Sequence, residues 1–264
     1  MQRKLQITVY ALGGLLVAVM LILANVARRQ APVRAVQAVI DYQGGDTLLS
    51  PAELAGEVTA KMPTLVGSKA KEVRKDEVQR VVMQNPYMEA CRVSVGVDGD
   101  VRVQATQRVP VLHLFYMGRE FYLDQAGNAM PPSKVHTADV MVGNGFFNVK
   151  VPQSLDSLNV AQMKASRNQR LLQVYTLAQY LHDHSEYGIL FDQEYMSEEG
   201  DLYLVPKVGD HIVVVGAADD LDRKFHDLVA FYREGMQRVG WDAYEQISLK
   251  YRRQVIATRR NGRE

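Results

Sequence analysis

Two stretches of strict alternation constrain this chain more than anything else in it. Cys91, Val93, Val95 and Val97 alternate with Arg92, Ser94 and Gly96. Val101, Val103 and Ala105 then alternate with Arg102, Gln104 and Thr106. A period of two puts one set of side chains on each side of a pleated strand, so each arm has a buried face and a wet face. The turn obeys the same logic. Asp98-Gly99 suits a two-residue hairpin, but that turn would set Val97 opposite Asp100. Register follows the buried face, which predicts a three-residue loop, Asp98 to Asp100, or a bulge. The ladder then meets Gln107, Arg108, Val109 and Pro110. Proline has no amide hydrogen and a fixed φ, so Pro110 can end the ladder at a set angle. Gln107, Arg108 and Pro110 are therefore read as a domain joint; the alternative is an edge-strand proline inside one continuous sheet.

The flanking pattern supplies the rest of an α+β chain. Val36, Val39 and Ile40 suggest a strand, and Gly44-Gly45-Asp46 a turn. Ser50-Pro51-Ala52-Glu53 is a helix start, because Ser50 can cap the N3 amide, Glu53 can reach back, and Pro51 fits N1. Leu54, Val58 and Met62 line that helix. A second, from Arg74, carries Val78, Val81 and Val82 and ends before Asn85-Pro86. Residues 35–109 thus read strand-helix-helix-strand-strand, with two helices on one face of a three-stranded sheet. Residues 110–259 read as a β-rich domain with two helices. Its strands fall at 111–116, 120–123, 140–142, 189–195, 201–205, 211–215, 244–251 and 254–259. One helix, 169–184, has a stripe of Leu171, Val174, Tyr175, Ala178 and Leu181. The other, capped by Asp219 or Asp220, buries Leu221, Phe225, Leu228, Val229, Tyr232, Met236 and Val239 and stops at Gly240. Residues 260–264 form a tail.

Residues 5–27 contain no charge, with Arg3 and Lys4 before them and Arg28 and Arg29 after. As a helix they reach about 34 Å, enough for a bilayer core. A cleaved signal peptide has a shorter apolar region, ~7–15 residues, and a small-x-small site; here Asn25 stands at −3 to Ala27. An uncleaved transmembrane helix is the reading, preceded by a tail, 1–4, and followed by a linker, 28–34. Positive charge is similar on the two sides, so orientation rests on length: long domains translocate largely regardless of charge. The N-terminus is placed in the cytoplasm, the span in the inner membrane and the bulk of the chain outside.

Composition excludes some functions. The chain has 31 Lys+Arg against 30 Asp+Glu, a net charge of +1, and lacks the electrostatic footprint of a nucleic-acid binder. One cysteine, Cys91, permits no intrachain disulfide and sits on the predicted apolar face, where it should be inert. There is no G-x-S-x-G, H-E-x-x-H, G-x-G-x-x-G or Walker sequence. His182-Asp183-His184 would point to different sides of a helix and reads as a solvated helix end. Glu198-Glu199-Gly200-Asp201 reads as a hairpin tip. No catalytic residue, metal site, cofactor or small-molecule substrate is assigned.

The order of these parts resembles the FtsQ/DivIB cell-division family. The matching stretches are Asn85-Pro86-Tyr87-Met88-Glu89-Ala90 at the entry to the second strand and Thr106-Gln107-Arg108-Val109-Pro110-Val111 at the joint. Phe121-Tyr122-Leu123-Asp124-Gln125-Ala126-Gly127, followed by Met130-Pro131, is similar to a family turn, and Ile247-Ser248-Leu249-Lys250-Tyr251 to a segment near the family's C-terminus. Ser248 replaces the family's Asp and Lys250 its Arg, which removes a planar fork. The resemblance implies that 35–109 is a POTRA domain and that the chain is a non-catalytic scaffold of the division machinery.

On residues alone, the closing segment is a candidate docking edge. A terminal strand often lies at a sheet's rim, with a free row of N–H and C=O groups to which another chain can add a strand. Lys250, Tyr251, Arg252, Arg253, Gln254, Val255, Ile256 and Ala257 are the candidate partner-binding residues, and the arginines favour an acidic partner. A solvated edge without a partner is the alternative. The resemblance implies membrane-anchored partners similar to FtsB and FtsL. Two other functions stay open: a POTRA-type envelope transport or assembly component receiving unfolded strands, and an anchored envelope hydrolase. Against the first, no run of ~10-residue outward-apolar strands is present.

Overall fold

A computed structural model describes residues 13–20, 30–96, 98–149, 151–163, 165–252 and 254–260. Most of the expected span at 5–27 lies outside them, as do the tail 1–4, residues 28 and 29, Val97, Arg253 and 261–264. Residues 13–20 are helical. Among the described residues no helix is long and apolar enough to cross a membrane. The chain is mixed α+β and divides into two compact units, one including Leu49–Gln107 and the other Gly44–Leu48 and the chain from Arg108 onward.

The first unit runs β1 (Val36–Asp41), α1 (Pro51–Lys61), α2 (Lys75–Met83), β2 (Met88–Val95) and β3 (Val101–Gln107). The sheet order is β1-β3-β2, with β1 parallel and β2 antiparallel to β3. The start of α1 is a complete capping box: Glu53 N donates to Ser50 Oγ at 3.2 Å, and Ser50 N to Glu53 Oε2 at 2.8 Å. Leu54, Val58, Val78 and Val82 pack with Ile40, Val101, Val103 and Ala105 in one core, and half-buried Cys91 joins its margin. The β2–β3 loop is longer than the three residues expected. Its last pair is Val95 with Val101, and Gly96 N donates to Asp100 O at 2.8 Å. Either Val95 or Val97 opposite Val101 satisfies the buried face. Local polar contacts favour the longer loop, with Asp100 N donating to Asp98 Oδ1 at 3.2 Å and Asp98 paired with Arg102 at 2.5 Å.

The second unit is built on β4 (Pro110–Tyr116), β5 (Arg119–Asp124), β6 (Ala129–Met130), β7 (Met141–Gly145), β8 (Phe191–Met196), β9 (Leu202–Pro206), β10 (Ile212–Gly216), β11 (Tyr244–Ser248) and β12 (Ile256–Arg259). They form one sheet in the order β12-β11-β10-β9-β8-β7-β4-β5-β6. Pro110 does not simply close a ladder; it opens β4, paired with Asp124, at the first-residue position a strand proline tolerates. Helices α3 (Ala165–Asp183) and α5 (Leu221–Phe231) share a core with one sheet face, where Val174, Leu177, Phe225 and Leu228 meet Leu112, Leu114, Leu204, Val213 and Ile247. A short α4 (Ser185–Gly188) follows α3. After α5 come a π-helical turn (Tyr232–Met236) and α6 (Gln237–Val239), ended by Gly240 at φ +90°.

Two expectations for this unit need correction, and one strand was not expected. The two-residue β6 had no periodic signal; it is placed by pairing with β5. Neither Asp219 nor Asp220 caps α5 through its side chain: Asp219 Oδ1 accepts from the buried Lys224 Nζ at 2.6 Å, and Asp220 pairs with Arg223 at 2.7 Å. A desolvated ammonium needs a carboxylate more than a helix amide does. The last two strands are also shorter than 244–251 and 254–259. Leu249 N still donates to Val214 O at 2.8 Å, but Lys250 turns away to Asp201, ending the ladder with β12.

Candidate functional site

The structure places β12 at one rim of the nine-stranded sheet. It pairs with β11, Ile256 opposite Ser248, Ala257 opposite Ile247 and Thr258 opposite Gln246; among the described residues no strand lies on its other flank. The direction of its free groups follows from one bond. Arg260 N donates inward to Ala243 O at 3.1 Å. Amides alternate along an extended strand, so those of Ile256 and Thr258 also point to β11, while those of Ala257 and Arg259 point to the open flank. Side chains alternate as well: Ala257 is half-buried against the helix-side core, while Ile256 is 42% exposed on the other face.

Of the eight candidate partner residues, only Ile256 and Ala257 are in the strand. Tyr251, Arg252 and Gln254 are exposed in the connection before it, and Val255 is packed against the core. Arg253 lies outside the described residues. Lys250 is exposed but engaged: its Nζ is 2.5 Å from Asp201 Oδ2, and that hydrogen bond raises the ammonium's pKa. At the joint, Gln107 is buried, its Oε1 accepting from Leu49 N at 3.3 Å. Arg108 Nη1 is 3.5 Å from Asp124 Oδ2. Asp124 also accepts from the amides of Ala126 at 2.9 Å and Asn128 at 2.7 Å, which folds the turn before β6.

Three features at the rim escaped sequence reasoning. A groove of about 460 Å³, lined by Phe231, Gly235, Gln254 and Val255 with Asp227 and Glu234, runs on the helix side where the chain enters β12. Arg260 is anchored to Asp210, Nη2 donating to its carbonyl at 2.8 Å. Beside it, His211 is buried with its Nε2 2.8 Å from Tyr232 Oη, and its ring lies over Trp241. Burial, then the Arg260 charge, push the imidazole pKa down. His211 directly precedes β10, Tyr232 opens the π-helical turn and Trp241 lies in the loop before β11; no sequence spacing links them. His182 and His184 are not brought together on a ligand: His182 meets Gln125 at 2.9 Å, and His184 lies against Tyr180.

Residues 109–258 match the family described as FtsQ/DivIB, C-terminal related. Cell division protein FtsQ of Rhodothermus marinus is 25% identical over 180 residues, which is 66% of this chain and 62% of that protein. The chain therefore spans less than two thirds of the length of this curated relative. With the family match running over more than half of the residues, from the strand that Pro110 opens into β12 itself, the chain belongs to the FtsQ/DivIB family.

Proposed function

We propose that this chain is a non-catalytic, membrane-anchored scaffold of bacterial cell division that binds its neighbours by accepting a β-strand along β12. The observation that carries the reading is the free flank of β12, with two outward amides in a strand whose other flank is paired. Backbone bonds supply affinity there, and alternating side chains supply selection. Ile256 offers the guest an apolar neighbour on one face, and the groove beside Val255 a side-chain pocket on the other. Exposed Arg252 favours an acidic segment. In this reading the partners are membrane-anchored division proteins similar to FtsB and FtsL, the β1-α1-α2-β2-β3 unit is a POTRA domain, and Gln107, Arg108 and Pro110 form the joint.

The anchor in this proposal is the uncharged run 5–27, crossing the inner membrane once with the N-terminus inside. The described part of that run supports it, because residues 13–20 are helical and every one is exposed, Leu15 and Met20 at 65% each. An apolar helix with no protein covering suits a lipid environment. Confinement to a membrane raises the effective concentration of neighbours, so modest contacts suffice.

The test compares two prolines in the full-length chain. Ala257→Pro removes an outward donor and leaves the β11 ladder intact; Thr258→Pro removes an inward one. Ala257→Pro should keep the wild-type unfolding midpoint and lose co-purification with membrane-anchored division proteins. Capture that survives Ala257→Pro removes strand addition at this edge. Depletion of the chain in its own cells should block septation, and normal septation would remove the division role.

A further inference from the structure

A second groove of this unit lies away from the β12 rim. β4, β7 and β8 run parallel, so Val111, Met141 and Phe191 stand together at the end where those strands begin. α3 finishes over the same end at Leu181 and His182, and α4 turns the chain back across it. Between strands and helices is a groove of about 590 Å³, lined among the described residues by the second unit alone. Ligand clefts of roughly 300–1,000 Å³ are of this size. Its floor is apolar: Val111, Leu181 and Phe191 belong to the core, and half-buried Met141 packs on them. At the mouth Ile189 is 68% exposed.

The charges at the groove decide what can enter. Asp139, Glu186 and Asp192 line it, and Lys207 is the one Lys or Arg among the described lining residues. Lys207 Nζ is 3.1 Å from Asp192 Oδ1, so those two charges offset each other. Glu186 Oε1 is 3.4 Å from His184 Nδ1, a ring that balances it only when protonated. At neutral pH the groove therefore carries an excess of negative charge, at Asp139 and Glu186. The C-terminal end of α3, a 19-residue helix, adds partial negative charge from the same side. Anionic lipid and nucleic-acid phosphates are repelled by such a field. A Lys or Arg side chain suits both parts of the groove, because its methylene stem covers apolar surface while its charged head stays in water at the mouth.

We propose that this groove docks a basic segment of a partner protein. An arginine or lysine stem lies over Met141 and Phe191 with its head at Asp139 or Glu186, and an aliphatic neighbour covers Ile189. This is a second docking surface, independent of the strand guest at β12, and it selects the charge opposite to the one that Arg252 favours.

The experiment is selection of displayed random dodecapeptides on the full-length chain in detergent. It is run in the Ala257→Pro background, so that strand addition at β12 does not contribute. Enriched sequences should combine Arg or Lys with aliphatic residues. A synthetic peptide of the leading sequence should bind the wild type saturably, and more weakly at high salt. Asp139→Asn combined with Glu186→Gln should weaken that binding about tenfold. The unfolding midpoint should not move, because both side chains are exposed. No enrichment, enrichment of acidic or uncharged sequences, or a double variant that binds the peptide like wild type would each overturn the proposal.

Discussion

Lys250 Nζ lies 2.5 Å from Asp201 Oδ2, so the residue that leaves β11 is tied to the turn between β8 and β9. Its stem crosses Gly216, where a β-carbon would come within 2.8 Å of Lys250 Cγ and where φ is +75°. A partly exposed ion pair contributes little. Lys250→Ala should therefore lower stability by less than about 1 kcal/mol. Gly216→Ala should cost more, about 1–2 kcal/mol, because its backbone disfavours a side chain. Urea unfolding of the two variants checks the order.

Charge reversal tests the selectivity of the edge. Arg252→Glu with Arg253→Glu should abolish capture of an acidic partner strand, with the unfolding midpoint unchanged, since Arg252 is exposed. Unchanged capture would remove these arginines from the docking surface.

Glu194 sits in register between Gly143 and Leu204, its carboxyl oxygens buried and, among the described residues, without a hydrogen-bond partner. Burial pushes its pKa well above the usual carboxylate range. The folded chain thus holds a proton that the unfolded chain releases near pH 4.5. Stability is full below that pH and falls as pH rises toward the raised value. Glu194→Gln should flatten the slope. Glu194→Leu should stabilise the protein at neutral pH by about 1–3 kcal/mol. Thermal melts from acid to mildly alkaline pH read both.

His211 works in the opposite sense. Its pKa is lowered by burial and by Arg260, so the unfolded chain binds the proton better. Its contribution is complete above pH 6.5 and is lost as pH falls toward the lowered value. His211→Phe should remove this acid-side loss. Below pH 6.5 the two slopes have opposite sign wherever their windows overlap, so each single variant uncovers the other's slope.

Asp124 holds the turn before β6 by accepting from Ala126 N, Asn128 N and, on both oxygens, Asn128 Nδ2, and it pairs with Arg108. Asp124→Ala removes the acceptor of the part-buried Ala126 and Asn128 amides and should cost about 1–2 kcal/mol. Asp124→Asn, which keeps one carbonyl acceptor, should cost less. Chemical denaturation of both variants decides.

Local chemistry wrote much of this fold openly. The alternation from Cys91 to Thr106, the Ser50–Glu53 capping box and the stripes on α1, α2, α3 and α5 depend on residues a few positions apart, and those neighbours suffice to place strands and helices. What required the tertiary structure was everything that depends on distant pairing. Only the assembled sheet brings β10 beside β11 and leaves β12 at a rim, turns Lys250 to Asp201, diverts Asp219 to Lys224, and encloses Glu194 without a partner. Side-chain period and helix caps are short-range forces written into adjacent residues. Strand order, burial of a lone carboxyl and the emptiness of a flank depend on which segments meet after the chain has closed on itself, and adjacent residues do not encode that.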